Sequence, residues 1–292
     1  MRLGTRGSAL ALAQTRLVAD ALGGAEIVEV RSERSAKRGG DKARFVRGIE
    51  EALIASQVDL GVHSAKDLPT DLPGELELVG VAAREDPADA FVGEAASLDE
   101  IPEGARVGTS SLRRRAQLLA ARPDLEVEEL RGNVDTRLRR LAEGDFDGIV
   151  LAAAGLRRLG RDREVAFRFG AGEMTPAAGQ GTLALEARRG DAAATEAAAR
   201  ITDSATLVEL TVERGAVARL DASCRTPVGV RAELTGAGLR ADAFVGLPDG
   251  SEWVRDSLEG DAEDPAALGR TLAERLLSAG AADVLGRAGS MA

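Results

Sequence analysis

Arg106-Val107-Gly108-Thr109-Ser110-Ser111-Leu112-Arg113-Arg114-Arg115 holds three structural signals in ten residues. A short strand, Arg106–Gly108, runs into a hydroxyl-rich turn and then into a helix expected over Leu112–Ala121. Ser and Thr oxygens suit the first turn of a helix, where backbone N–H groups lack partners. Reading outward, the unit repeats as strand Glu126–Leu130 with helix Val134–Ala142, and strand Gly148–Leu151 with helix Gly155–Leu159. Towards the N-terminus come strand Arg2–Thr5, a Ser8-capped helix Ala9–Leu22, strand Ile27–Val30, helix Arg44–Ala55 and strand Val58–Val62. Short apolar strands alternating with amphipathic helices predict an α/β fold with largely parallel strands.

Beyond Gly179-Gln180-Gly181 an apolar stretch, Leu183–Ala187, is expected to return to the first sheet. The tail then changes character. Asp249-Gly250 is a hairpin turn between strand-like runs Leu239–Gly246 and Glu252–Leu258, and Asp264-Pro265 opens a closing helix through Leu277. The expected domains are 1–83 plus 182–203, then 84–181, then 204–292, the last a small α+β domain with an antiparallel sheet. Residues 31–42 are polar, contain Gly and follow no period, and so read as a mobile loop.

Composition bounds the function. The 292 residues carry a net charge of −10 with 2% aromatics, which argues against nucleic acid as a partner. One Cys and one His rule out an intrachain disulfide and a zinc cluster, so no metal is expected. No apolar run is long enough to span a bilayer, and Met1–Arg6 lacks a signal-peptide core, so a cytoplasmic protein without membrane partners is expected. Only three cations are Lys; the other 35 are Arg. Residues 106–168 hold 14 Arg against 10 acidic residues, a net of +4 within an acidic chain. Arg grips carboxylate or phosphate through paired hydrogen bonds, so this segment points to a small anionic ligand.

The polar signals fall at strand-to-helix junctions. Arg6 follows the first strand, His63-Ser64-Ala65-Lys66-Asp67 follows Val62, and Arg131-Gly132-Asn133-Val134-Asp135-Thr136-Arg137 and Gly155-Leu156-Arg157-Arg158 repeat the pattern. Ligands of open parallel sheets bind at the carboxyl ends of strands, where helix N-termini gather. For any single Arg, a solvated surface charge is the ordinary reading, and Arg113 to Arg115 fan out by about 100° each around a helix. Recurrence at four junctions favours a site. Asp67 is either a local cap or ion-pair partner, or a carboxylate held to stabilise a cation. A lone strand-end His63 reads as structural. Cys224, in Asp221-Ala222-Ser223-Cys224-Arg225-Thr226-Pro227, is either a small buried hydrophobe or a loop thiol activated by a neighbouring Arg.

Taken together these motifs resemble the porphobilinogen deaminase (hydroxymethylbilane synthase) family. The match runs through Leu3-Gly4-Thr5-Arg6-Gly7-Ser8, Val62 to Pro69, Arg84-Glu85-Asp86-Pro87, Gly108 to Arg114 with Gln117, Leu130 to Arg137, Ala154 to Gly160, Pro176 to Gly181 and the Cys224 loop. The resemblance implies three domains, the first two like type II periplasmic binding proteins with mixed, mainly parallel sheets. It implies a monomeric enzyme that condenses four porphobilinogens head to tail, each losing ammonia, into hydroxymethylbilane. Cys224 would hold a dipyrromethane cofactor through a thioether, and Asp67 would be the catalytic carboxylate, stabilising azafulvene-like cations. Ser64, Lys66, Asp67, Thr109, Ser111, Arg113, Arg114 and Arg131 would contact the cofactor, and Arg6, Arg137, Arg158 and Gln180 the substrate.

Three departures stand out. Ala222-Ser223 occupies a place where the family has two glycines, which matters if either needs a positive φ. The loop at 31–44 is short and carries Asp41-Lys42-Ala43-Arg44-Phe45, and Asp135 replaces a common Gly and is read as a helix cap. The competing function is a non-catalytic two-lobed binding protein for a small carboxylate or oxyanion, in which the Cys loop would have no purpose.

Overall fold

The computed structural model describes residues 1–30, 41–223, 226–236 and 238–291, with 41–45 described through their backbone alone. Most of the loop read at 31–42, the Lys42 side chain, and Cys224 with Arg225 lie outside the described residues. In chain order the elements begin with β1 (Arg2–Thr5), α1 (Ala9–Ala21), β2 (Glu26–Glu29), α2 (Asp41–Ile54), β3 (Leu60–Ser64) and β4 (Leu76–Val81). Next are β5 (Asp89–Gly93), β6 (Arg106–Gly108), α3 (Leu112–Ala121), β7 (Glu126–Glu128), α4 (Val134–Ala142), β8 (Gly148–Ala152), α5 (Ala153–Arg158) and β9 (Phe167–Arg168). The chain continues with β10 (Leu183–Arg188), α6 (Ala192–Ala199), α7 (Ser204–Arg219), β11 (Val228–Thr235), β12 (Gly238–Gly246), β13 (Trp253–Gly260), α8 (Pro265–Leu276) and α9 (Ala282–Met291).

Two compact units result, Met1–Glu85 with Gly181–Leu207, and Asp86–Gln180 with Val208–Ala292. In the first, the sheet order is β2-β1-β3-β10-β4. The β1 pairings with β2 and β3 are parallel, while β10 runs antiparallel to both β3 and β4. Leu3, Leu60, Leu183 and Leu185 pack with Val18 and Ala198 on one side, and Ile49, Leu53 and Val58 form a core with Leu76 on the other.

The second unit contains two sheets. One has the order β7-β6-β8-β5-β9, again with parallel pairings around β6 and antiparallel ones around β5. Phe91, Val107 and Val150 fill one face and Leu130, Ile149 and Leu156 the other. The other sheet, β11-β12-β13, is wholly antiparallel and buries Val230, Ala241, Ala243 and Val245 against α7, α8 and α9. Each mixed sheet is thus mainly parallel in direction, with four of five strands running the same way, but two of its four pairings are antiparallel because β10 or β5 runs against both neighbours.

Local chemistry sets the helix starts. Ser8 Oγ accepts from Ala11 N, Ser111 Oγ from Arg114 N, Asn133 Oδ1 from Thr136 N and Asp264 Oδ1 from Ala267 N, each a side-chain cap. Asn133 therefore takes the cap expected of Asp135, whose carboxylate instead lies 3.6 Å from Arg161 Nη1. Helix α7 ends in a Schellman turn, with Asp221 N donating to Ala218 O and Ala222 N to Val217 O. Asp221 takes the left-handed conformation at φ 50, whereas Ala222 and Ser223 do not. The two non-glycine residues before Cys224 consequently sit without backbone strain.

Candidate functional site

In both mixed sheets the polar junction residues collect at the carboxyl ends of the parallel strands. In the first unit, β1 delivers Arg6, which is half-buried, and β3 delivers Ser64. Gln14, itself buried on α1, donates its amide to Ser64 Oγ at 3.0 Å. A 3-10 turn, Ala65–Asp67, then carries Lys66 and Asp67, both half-buried. Its backbone is pinned by Ala65 N donating to Thr182 O at 3.0 Å and Leu68 N to Ala65 O at 3.2 Å. Next to Thr182, Gly181 lies against the Arg84–Glu85 segment, with Glu85 N donating to Gly181 O at 3.1 Å. At φ +90, a Cβ there would lie 2.1 Å from Glu85 O.

His63 belongs to the other face of β3, since successive strand residues alternate. It is buried, with Nε2 3.0 Å from Glu186 Oε2 but not aligned for a hydrogen bond. Glu50 also lies near this pair. Burial, then the Glu186 charge, raises the Glu50 carboxyl above its usual range, with His63 and Arg47 opposing. The structural reading of His63 fits this packing.

In the second unit the quoted stretch forms the centre. Thr109 Oγ1 accepts from Ser111 N at 3.2 Å, and Ser111 caps α3. Arg137 of α4 donates to Ser110 Oγ at 2.9 Å and to Gly132 O at 2.9 Å, so two junctions come together. Arg131 is exposed and pairs with Glu129 at 2.7 Å, and Arg158 is half-buried on α5.

Arg113 and Arg114 are different, being 3% and 5% exposed. Both reach Asp89, the first residue of β5, which is fully buried. Arg113 Nη1 donates to Asp89 Oδ2 at 2.6 Å and to Thr175 O at 2.7 Å, with Nη2 3.2 Å from Oδ1. Arg114 Nε donates to Asp89 Oδ1 at 2.9 Å and Nη1 to Val150 O at 2.9 Å. Gln180, also fully buried, donates to the same Oδ1 at 2.9 Å and to Pro87 O at 2.7 Å. Burial pushes the Asp89 carboxyl up, but the Arg113 and Arg114 charges outweigh it and hold the group well below the usual carboxylate range. Burial lowers the Arg114 guanidinium, with Asp89 opposing and Arg113 adding to the effect.

Two guanidiniums share one carboxylate, which leaves one positive charge over in a place that excludes water. Such a cluster suits an anionic ligand with carboxylate side chains, and the hydroxyls of Thr109 and Ser111 supply further polar contacts. The donor set thus fits a dipyrromethane bearing acetates and propionates. Gln117 belongs to the motif that carries the resemblance, whereas no sequence motif marks Asp89, Gln14 or Thr175. Each partner of Asp89 lies 24 or more residues away, so no local pattern marks it. Ser223 and Thr226 bracket Cys224: Ser223 N donates to Thr226 Oγ1 at 2.9 Å and Thr226 N to Ser223 O at 3.0 Å.

Residues 1–196 match the family described as porphobilinogen deaminase, dipyromethane cofactor binding domain, and residues 207–278 match porphobilinogen deaminase, C-terminal domain. Curated relatives named porphobilinogen deaminase include that of Roseiflexus castenholzii, 47% identical with 96% of each chain covered. Those of Thermus thermophilus and Rubrobacter xylanophilus are 45% and 46% identical, covering 97% of this chain and 97% and 96% of their own. Among solved structures, a putative methionine-binding lipoprotein from Bacillus subtilis aligns with a TM-score of 0.43 at 13% identity, over 70% of this chain and 91% of its own.

Proposed function

The chain belongs to the porphobilinogen deaminase family, and on that premise we propose which of its own residues carry the reaction. It is a transferase of tetrapyrrole synthesis, condensing four porphobilinogens with loss of ammonia into hydroxymethylbilane. The dipyrromethane, when bound, supplies the primer to which the new units are joined.

Cys224 is the proposed point of attachment. Arg113 and Arg114 take carboxylate side chains of the cofactor, with Arg131, Lys66, Ser64, Thr109 and Ser111 as further contacts. Arg6, Arg137 and Arg158 take the acetate and propionate of incoming porphobilinogen. Gln180 was expected to touch substrate; its amide is engaged with Asp89 and Pro87, so we assign it a supporting role instead.

Asp67 is the proposed catalytic residue. Its carboxylate accepts from the substrate pyrrole N–H and stabilises the positive charge that develops as ammonia leaves. A fixed negative charge at that point lowers the barrier because it need not reorganise as the charge appears. The pinned backbone of the Ala65–Asp67 turn supports such a fixed placement.

We further propose the three-domain division at 83/84, 181/182 and 203/204, a monomer, and a cytoplasmic location without nucleic-acid or membrane partners. Among the described residues no helix is long and apolar enough to cross a membrane. The observation that carries the site reading is the 2:1 pairing of Arg113 and Arg114 with Asp89. Purified chain given porphobilinogen should release four ammonia molecules per tetrapyrrole. Binding without ammonia release would favour the carboxylate-binding protein.

A further inference from the structure

A short stretch of the second unit, Thr175 to Gln180, ties the arginine pair to the strand that follows the Cys224 loop. Thr175 O accepts from Arg113 Nη1 at 2.7 Å and from Gln117 Nε2 at 3.1 Å. Thr175 N donates to Gln117 Oε1 at 2.7 Å, which also accepts from Arg255 Nη2 of β13 at 3.2 Å. Pro176 O accepts from Val230 N of β11 at 2.9 Å. Gly179 N donates to Glu213 Oε2 at 2.6 Å, while Glu213 Oε1 accepts from Ala232 N at 2.8 Å. At the end of the stretch Gln180 reaches Asp89 at 2.9 Å.

Asp89 is the charged node of this arrangement. A guanidinium carries five N–H donors in a rigid plane, so fixing one edge fixes the direction of the rest. Each of the two arginines makes three contacts with protein oxygens among the described residues, which leaves donors on both for a ligand. Were the cluster there for stability alone, matched charges or apolar side chains would serve as well. An unmatched buried cation is a cost to the fold that an anionic ligand makes good.

We propose that Asp89 is a positioning residue for the cofactor. By holding Arg113, Arg114 and Gln180 at once, it presents the two guanidiniums as one rigid fork with a single uncompensated positive charge, aimed at a carboxylate of the dipyrromethane. Asp89 itself does not touch the ligand. This inference rests on the proposed role of Arg113 and Arg114, and it adds a residue that acts only through them.

The test uses full-length chain expressed in a host that makes the cofactor, as wild type, Asp89→Asn, Asp89→Glu and, separately, Arg114→Gln. Three readouts are taken: the thermal midpoint, the fraction of chains carrying the adduct by intact mass, and kcat and KM on that fraction. Folded Asp89→Asn should show adduct loading and kcat lower by roughly tenfold or more, because a misdirected fork misplaces the primer. KM for porphobilinogen should stay within about twofold, since the fork holds the primer and not the incoming unit. Asp89→Glu should recover part of both losses by restoring the charge. Wild-type loading and kcat in folded Asp89→Asn would overturn the proposal, and so would failure of both Asp89 variants to fold, which would make the residue purely structural. Normal loading in Arg114→Gln would instead sink the reading of the arginine fork itself.

Discussion

The Asp89 carboxylate and the Arg113 guanidinium meet edge to edge at 2.6 and 3.2 Å, with the aspartate fully buried and the arginine 3% exposed. Removing one partner of such a pair strands the other charge away from water. Asp89→Ala leaves two stranded cations and is expected to cost about 3–5 kcal/mol, read as a shift in the urea unfolding curve. The exposed Arg131–Glu129 pair, at 78% and 56% side-chain exposure, is the contrast. Glu129→Ala should move stability by no more than about 0.5 kcal/mol.

The same cluster gives a pH dependence whose sign follows from Asp89 being held below its ordinary value. A carboxyl depressed by folding contributes stability that is fully present above its unfolded pKa of about 3.9 and is lost as pH falls towards the folded value. The wild type should therefore lose stability on acidification below about pH 4. Folded Asp89→Asn should show a shallower acid limb in urea midpoints measured between pH 5 and pH 3. Equal slopes would show that Asp89 contributes nothing to it.

Asp221 offers a gain of stability. It occupies the left-handed position of the Schellman turn ending α7, at φ 50, where an L side chain is strained. Asp221→Gly should stabilise by about 0.5–1 kcal/mol, visible as a higher thermal midpoint. A lower midpoint would mean that the Asp221 side chain compensates for its backbone.

Much of this architecture was legible where chemistry is local. The side-chain caps at Ser8, Ser111 and Asp264 and the hairpin at Asp249-Gly250 lie within a few residues of what they organise, and the strands and helices beside them fall where expected. Strands β4 and β5 escaped notice because Leu76–Val81 and Asp89–Gly93 join the sheets through partners far along the chain. Helix α7 was hidden for a different reason: Glu213 sits fully buried among its core positions, gripping Gly179 and Ala232, so the apolar period is broken where packing is tightest. The junction residues were legible as a set. That Arg113 and Arg114 point into a buried carboxylate was not, since the sequence near them contains no sign of Asp89.

For Asp67 the expectation is a clean separation of fold from chemistry. It is half-buried on a turn whose backbone is held by Ala65 N donating to Thr182 O and Leu68 N to Ala65 O. Asp67→Ala should keep the wild-type thermal midpoint within a few degrees. Turnover of porphobilinogen should drop by at least about a hundredfold, the scale for losing one fixed stabilising group. Near-normal turnover in the folded variant would remove Asp67 from the chemistry.

Intact-mass measurement of the chain purified from a cofactor-making host tests most directly whether this protein works on a covalently held primer. The wild type should carry an adduct of the mass of a dipyrromethane, and Cys224→Ser should be bare and inactive. A bare wild-type chain that nonetheless turns over porphobilinogen, or an adduct that persists in Cys224→Ser, would refute attachment at Cys224 and the arrangement of residues built around it.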